Sequence, residues 1–224
     1  MQGSTVDNHG VKMAMRRMLV DPSRFTEAMR IIEHATRSME SKSAEEIVSG
    51  LKLMGSLTNP RHVGDEISSY VSSIIWTGVD PEKKTRIRAT GLLRTYALDR
   101  SNVVVHFWAV RVLGNVFFCL LNHGGANTIC HDEDMVAWST IAPMLIDDME
   151  SVHSNPHTAC FAIRCLRGLI VAKMHLYDKG RIHMFSDYEQ RCLKANVEKV
   201  VSFGKDKNAN IEREGLKLLG ILLK

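Results

Sequence analysis

The chain has 224 residues, of which 45% are apolar and 24% charged, a composition that is typical of a globular protein and excludes an intrinsically disordered one. Its five cysteines form no CxxC pair and no Asn-x-Ser/Thr acceptor occurs, so a disulfide-framed secreted domain is disfavoured and an intracellular protein, cytoplasmic or nuclear, is predicted. The net charge of +4 is uneven: residues 1–150 carry 16 basic and 18 acidic side chains (−2), whereas residues 151–224 carry 13 and 7 (+6).

No segment alternates apolar and polar residues for long enough to indicate a strand, so we predict an all-α protein of about ten helices. Residues 1–10 are predicted to be a flexible segment, followed by a single helical domain at 11–224 that could be a fragment of a longer chain. Asp-Pro pairs at 21–22 and 80–81 and a capping box at 43–46 are typical helix starts. The helices predicted in the first half cover residues 11–20, 21–39, 43–57, 63–77 and 82–98.

The most apolar stretch, residues 101–121, is predicted to be a helix that is capped by Ser101 and apolar on nearly all sides. It is long enough to cross a bilayer, but His106, Arg111 and Asn115 lie in its middle, and one charge at the bilayer centre costs about 3 kcal/mol. We therefore predict a buried central helix and no membrane span. Further helices are predicted at 135–149, which Pro143 should kink or split, at 155–175, at 186–203 before a turn at Gly204, and at 208–224.

One short pattern recurs along the predicted helices. Gly-Leu-Lys-Leu-Met-Gly at 50–55 returns as Gly-Leu-Lys-Leu-Leu-Gly at 215–220, Ala-Val-Arg-Val-Leu-Gly at 109–114 has the same order of apolar and basic residues, and a looser copy lies at 162–168. Such repetition indicates stacked helix pairs, a solenoid in which each repeat buries its face against its neighbours. The alternative is that leucine-rich helices resemble one another by chance.

The sequence Val-Arg-Val-Leu-Gly-Asn-Val at 110–116 resembles the third helix of an armadillo repeat, which closes in Leu-Gly-Asn-Leu. Resemblance to a divergent armadillo/HEAT-type protein implies a right-handed α-solenoid that binds an extended peptide or a partner helix in its concave groove. In the peptide-binding armadillo proteins the asparagine clamps the peptide backbone, with a tryptophan one turn before it. Asn115 matches that asparagine, whereas Arg111 stands at the position of the tryptophan and Trp108 lies nearly one turn earlier. In the other copies the asparagine position holds Ser56, Gly168 and Ile221.

Arginines recur near equivalent places in successive predicted helices and would line one concave surface of such a solenoid. Arg164 and Arg167 lie one helical turn apart. Guanidinium groups in a groove would meet acidic peptides or phosphates. The residues predicted to bind a partner are therefore Arg111, Asn115, Arg164, Arg167 and Trp108, and the alternative is a set of surface arginines that share no face.

Nothing in the sequence predicts catalysis or a cofactor. The phosphate-binding, dinucleotide-binding and zinc-protease motifs and the G-x-S-x-G motif of serine hydrolases do not occur. The S-x-x-K pattern of some serine enzymes occurs at 49–52 and 202–205, but without a supporting motif, so we attribute both matches to chance. Histidines and cysteines cluster at 119–131 and at 153–165, but neither group has the short paired loops of a zinc finger. The acidic residues at 132–134 and 147–150 suit a solvated face or a basic partner better than a calcium loop. We therefore predict no metal and no enzyme.

The sequence thus predicts a non-enzymatic scaffold that binds a protein or peptide, an acidic one by the charge of the C-terminal third. One alternative is a basic all-helical nucleic-acid-binding protein of the viral nucleoprotein or matrix type, favoured by Lys-Lys-Thr-Arg-Ile-Arg at 83–88, although few aromatic residues are available for base stacking. The second alternative is a helical enzyme whose active-site residues are dispersed along the sequence. Because the chain ends inside a predicted helix without a polar capping repeat, self-association through that helix is also expected.

Overall fold

A computed structural model describes residues 24–80, 84–122, 141–176 and 187–222, and within them the protein is all-α apart from one two-residue strand pair. The all-α prediction is confirmed, while the predicted segment at 1–10 and helix at 11–20 lie outside the described residues. In chain order the described elements are α1 (Arg24–Met39), α2 (Ala44–Leu57), α3 (Pro60–Val63), α4 (Asp65–Thr77), β1 (Val79–Asp80), β2 (Thr85–Arg86), α5 (Arg88–Leu98), α6 (Val103–Asn122), α7 (Ala142–Glu150), α8 (Pro156–Leu176), α9 (Asp187–Lys207) and α10 (Ala209–Leu222).

The helices form where apolar residues recur at helical spacing, and in α3, α6 and α10 an asparagine side chain also caps the first turn. In α1, Ala35 and Met39 are fully buried and lie against Gly50 of α2, where an added β-carbon would come within 2.5 Å of the Ala35 carbonyl oxygen. At the other end of the chain, the side chain of Asn208 accepts hydrogen bonds from the backbone N–H of Asn210 and of Ile211 and so starts α10.

A small hairpin replaces the start of the helix that was predicted at 82–98. Val79 pairs with Arg86 and Asp80 with Thr85 in antiparallel register, so the helix begins only at Arg88. The chain enters the hairpin through Gly78, whose φ of 67° is left-handed and whose N–H donates to the Ile74 carbonyl. The prediction from the Asp-Pro pair is therefore wrong at this site, because Asp80 is paired in a strand and does not cap a helix.

The central helix α6 is capped by Asn102 and not by Ser101. The side-chain oxygen of Asn102 accepts from the backbone N–H of Val104 at 3.1 Å and of Val105 at 3.2 Å. The backbone N–H of Ser101 donates instead to the carboxylate of Asp99 at 2.8 Å. The predicted cap is thus displaced by one residue, because the loop before α6 makes its own turn around Asp99.

We expect Asn102→Ala to lower the free energy of unfolding by about 1 kcal/mol, because two N–H groups of the first turn of α6 lose their acceptor. Ser101→Ala is the matched control and should change stability by less than about 0.5 kcal/mol. Urea denaturation followed by circular dichroism measures both values. A larger loss for Ser101→Ala than for Asn102→Ala would contradict the assignment of the cap.

Two further boundaries differ from the predicted ones. Helix α9 runs through Gly204 to Lys207, so the turn predicted at Gly204 is wrong. The missing side chain serves packing, since a β-carbon on Gly204 would lie 2.3 Å from the backbone nitrogen of Glu212 in α10. Pro143 was expected to kink or split a helix at 135–149. It lies in the first turn of α7, where proline costs no hydrogen bond. Residues 135–140 are outside the described ranges.

Helix α6 is the centre of the described structure and packs against α2, α4, α5 and α8. Its Phe117 is 1% exposed and meets Trp76 of α4 edge to face, with ring centroids 5.4 Å apart. Phe117 also abuts Gly168 of α8, where a β-carbon would come within 2.5 Å.

The four helices that carry the repeated pattern, α2, α6, α8 and α10, pack in that order, each against the next.

The apolar length of α6 is matched by its burial. Among the described residues, Val103–Leu120 is the one stretch that is long and apolar enough to cross a membrane, with a mean hydropathy of 1.8. However, 67% of it is buried inside the protein. Its apolar surface is therefore already covered by neighbouring helices, which favours the predicted core helix over a membrane span.

Candidate functional site

The third residue of every copy of the repeated pattern is basic, and the four of them lie on four helices that pack in succession. Lys52 is on α2, Arg111 on α6, Arg164 on α8 and Lys217 on α10. Two aromatic residues, Trp108 of α6 and Phe161 of α8, lie between these cations. We call these six residues the basic row.

The indole ring of Trp108 is flanked by cations from two neighbouring helices. Nζ of Lys52 lies 5.4 Å from the ring centroid, and Cζ of Arg111 lies 4.6 Å from it. Both are within the range of cation–π attraction, which is worth about 0.5–1 kcal/mol at exposed sites. The two cations are at most 10.0 Å apart, the sum of these two distances. The ring thus brings two positive charges from different repeats close together.

The phenyl ring of Phe161 makes the same kind of link in the middle of the row. Cζ of Arg111 lies 5.6 Å from its centroid and Cζ of Arg164 lies 5.5 Å from it. Arg164 is also 5.7 Å from the ring of Phe118, on α6. Because each guanidinium rests on aromatic surface, its orientation is restrained before any partner binds.

The row ends at a buried carboxylate. Glu214 of α10 is 1% exposed, and its Oε2 lies 3.1 Å from Nη1 of Arg167. The same carboxylate lies 3.8 Å from Nε of Arg164, 3.4 Å from Nζ of Lys217 and 4.0 Å from Nε of Arg213. A buried carboxylate is tolerated only when it is paired. The cluster therefore neutralises Glu214 and holds α10 against α8.

At the other end of the row, the residues that the structure describes supply cations but no carboxylate. Within the described part of the chain, neither Lys52 nor Arg111 forms a salt bridge. Arg111 is half-buried, and this burial lowers the pKa of its guanidinium. Lys52 is exposed. A partly desolvated cation without a counter-charge attracts an anion more strongly than a fully hydrated one, so this end is suited to bind an acidic group.

The structure brings three of the five predicted partner-binding residues into the row: Trp108, Arg111 and Arg164. Asn115 lies on the same helix, but its side-chain nitrogen donates to the Gly55 carbonyl of α2 at 3.2 Å. That amide N–H therefore joins two copies of the repeat and is engaged within the protein.

Arg167 does not fit its predicted place on an open groove. It is 7% exposed, and burial lowers the pKa of its guanidinium while Glu214 opposes that shift. The physical reason is that its guanidinium lies in the contact between α8 and α10, with Nη1 3.1 Å from Oε2 of Glu214. We correct its role from a direct contact to a residue that pairs with Glu214.

Sequence reasoning missed Lys52, Phe161, Lys217 and Glu214. A signal for two of them existed, because Lys52 and Lys217 occupy the same position of the pattern as Arg111 and Arg164. No comparable signal marks Phe161 or Glu214, since both matter only through contacts across helices.

A second buried polar cluster connects the loop before α6 with α7. Asp148 is 5% exposed, lies 2.8 Å from Nη2 of Arg100, and has both carboxylate oxygens within 3.2 Å of Nε2 of His106. The same Arg100 nitrogen donates to the Met144 carbonyl at 2.9 Å. The acidic residues at 132–134 and 147–150 were predicted to form a solvated face or to meet a basic partner. Asp147 and Glu150 are exposed, Asp148 is buried and paired, and residues 132–134 lie outside the described ranges.

The histidine and cysteine cluster at 153–165 is dispersed in the structure. Cys165 is buried, its Sγ lies 3.6 Å from the Val110 carbonyl oxygen, and burial raises the pKa of its thiol well above the ordinary value. His153 packs edge to face on Phe203, at 5.2 Å between ring centroids. Among the described residues, no three His, Cys, Asp or Glu side chains group closely enough to hold a metal ion. The cluster predicted at 119–131 lies mostly outside the described ranges.

Comparison with known proteins places the chain in no family. No family model matches it, and no curated protein does. An engineered protein whose crystal structure was determined by the Northeast Structural Genomics Consortium aligns over 96% of each chain, with 13% identity and a TM-score of 0.33. A likeness at that TM-score carries no argument about fold or function.

Proposed function

We propose that this protein is a non-enzymatic scaffold, an armadillo/HEAT-like right-handed α-solenoid that binds an acidic segment of a partner protein along the basic row. One observation carries the proposal: the basic position of four repeated helices forms a single row, and two of its cations, Lys52 and Arg111, have no carboxylate partner among the described residues. We expect the protein to act in the cytoplasm or nucleus, where its cysteines stay reduced.

The solenoid part of the proposal rests on the order of packing. Helices α2, α6, α8 and α10 contact one another in succession, as equivalent helices of stacked repeats do. Asn115 ties α6 to the carbonyl of Gly55 in the preceding copy. At Gly114, a β-carbon would lie 3.0 Å from the Phe161 ring, so two copies approach closely there. The helices are farther apart at the other two glycines: a β-carbon at Gly55 would lie 3.7 Å from the Val112 side chain, and at Gly220 nothing lies within 4 Å.

Nucleic acid is the second candidate partner, because cations interleaved with aromatic rings are typical of single-strand binding surfaces. In the basic row, however, Lys52 and Arg111 already lie over Trp108, and Arg111 and Arg164 over Phe161. Ring faces covered by the protein's own cations offer less surface on which a base can stack. We therefore favour a protein partner.

The test is a pull-down from cell extract with the full chain immobilised, run with and without nuclease. We expect a protein partner that survives nuclease and is lost with the double variant Lys52→Gln/Arg111→Gln, because both unneutralised cations are removed. The control Lys42→Gln/Arg61→Gln makes the same charge change at exposed positions outside the row and should retain the partner. Recovery of nucleic acid alone, lost at high salt, would support the second candidate instead.

A further inference from the structure

We propose that the basic row accepts its ligand at one end only: Lys52 and Arg111 bind two carboxylates of an extended acidic segment across the edge of Trp108, while Glu214 occupies the Arg164 end from within. This inference rests on the proposed function and names the chemistry of the partner and the part of the row that binds it. It arises from a difference between the two ends of the row: Arg164 and Lys217 lie beside the carboxylate of Glu214, whereas Lys52 and Arg111 form no salt bridge among the described residues. The repeated sequence does not show this difference.

The C-terminal end of the row already holds its carboxylate. Glu214 is placed among Arg164, Arg167 and Lys217 at 3.8, 3.1 and 3.4 Å, in the way an acidic ligand side chain would be. Because Glu214 is 1% exposed, a partner cannot displace it without opening the contact between α8 and α10. A ligand carboxylate brought to this end would have to share Arg164 and Lys217 with Glu214, which already lies 3.8 and 3.4 Å from them.

The end of the row at Lys52 and Arg111 presents the same side-chain chemistry, and no carboxylate of the described ranges forms a salt bridge with either residue. Lys52 and Arg111 both contact the indole ring of Trp108, so their charged groups are at most 10.0 Å apart. In an extended segment, side chains two residues apart point to the same side and are separated by about 6.6 Å. Lysine and glutamate side chains are long enough to bridge the difference between this separation and that of the two cations. Acidic residues at positions i and i+2 of an extended partner thus match the two cations.

Preorganisation strengthens this match. Arg111 contacts the rings of both Trp108 and Phe161, at 4.6 and 5.6 Å from their centroids, so its guanidinium is held before the ligand arrives. Less side-chain freedom is therefore lost on binding. The half-buried surroundings of Arg111 also strengthen its attraction for a carboxylate relative to bulk water.

The test is fluorescence anisotropy of a fluorescein-labelled hexaglutamate peptide titrated with the full chain at low salt. Lys52→Gln and Arg111→Gln should each weaken binding by about fivefold to tenfold, because each removes one charge-assisted contact. Lys217→Gln makes the same change at the same repeat position at the other end and tests whether that end takes part in binding. Lys42→Gln removes one exposed charge outside the row and is the control. Each of these two variants should change the affinity by less than about twofold. Circular dichroism spectra and melting curves check that each variant folds like the unmodified chain.

A loss of affinity with Lys217→Gln that equals or exceeds the loss with Lys52→Gln or Arg111→Gln would overturn the one-ended site. Unchanged affinity with both Lys52→Gln and Arg111→Gln would overturn it as well. If hexaglutamate fails to bind while the pull-down still recovers a nuclease-resistant protein lost with Lys52→Gln/Arg111→Gln, the acidic ligand is wrong and the scaffold function stands. Tighter binding of a labelled oligothymidylate than of hexaglutamate would overturn the protein ligand and favour single-stranded nucleic acid.

Discussion

Gly204→Ala is expected to destabilise the protein by about 3 kcal/mol, equivalent to a fall in Tm of roughly 6–12 °C for a chain of this size. A β-carbon at this position would lie 2.3 Å from the backbone nitrogen and 2.6 Å from Cα of Glu212. These are backbone atoms, and Asn208 alone joins α9 to α10, so α10 cannot move away without breaking its cap. Thermal and urea denaturation measure the loss.

Gly220→Ala provides the matched control for this glycine. It makes the same substitution within α10, at a place where nothing lies within 4 Å of the added carbon. Because alanine is the better helix former by up to about 1 kcal/mol, this variant should be neutral or slightly stabilised. Similar stabilities for the two alanine variants would show that α9 and α10 do not approach as closely as we describe.

Glu214→Gln should lower the free energy of unfolding by about 3–5 kcal/mol, the typical cost of removing one partner from a buried ion pair. Arg167, which is 7% exposed, would keep its charge and lose the carboxylate 3.1 Å away. Arg164 would lose a weaker contact at 3.8 Å. Since the substitution keeps the size of the side chain, the effect reports charge and not volume. Denaturant unfolding at neutral pH measures it.

Glu212→Gln is the control for charge on the same helix. Glu212 lies in the first turn of α10 and is half-buried, so its loss should cost only about 0.3–1 kcal/mol through the helix dipole. A loss at Glu214 as small as that at Glu212 would mean that the cluster around Arg167 is solvated, and would remove the reason for separating the two ends of the basic row.

Much of the helical architecture could be predicted, because periodicity and capping act within a few residues. The helices predicted at 43–57, 63–77 and 155–175 lie within two residues of α2, α4 and α8. The errors occur where a distant part of the chain competes with the local signal. Gly204 looks like a helix end in sequence, yet it is an internal residue whose missing side chain admits α10.

Of the candidate site, the spacing of the repeated basic position and the presence of Trp108, Arg111 and Arg164 near it can be read from the chain without a structure. Which of these cations pair with a carboxylate depends on tertiary packing, because Arg164 and Glu214 are 50 residues apart and meet only when α8 packs on α10. Four equivalent basic residues therefore differ in their electrostatic surroundings. A sequence pattern repeats the charges, whereas the fold determines which of them lie beside a carboxylate, since that depends on distance and burial and not on spacing along the chain.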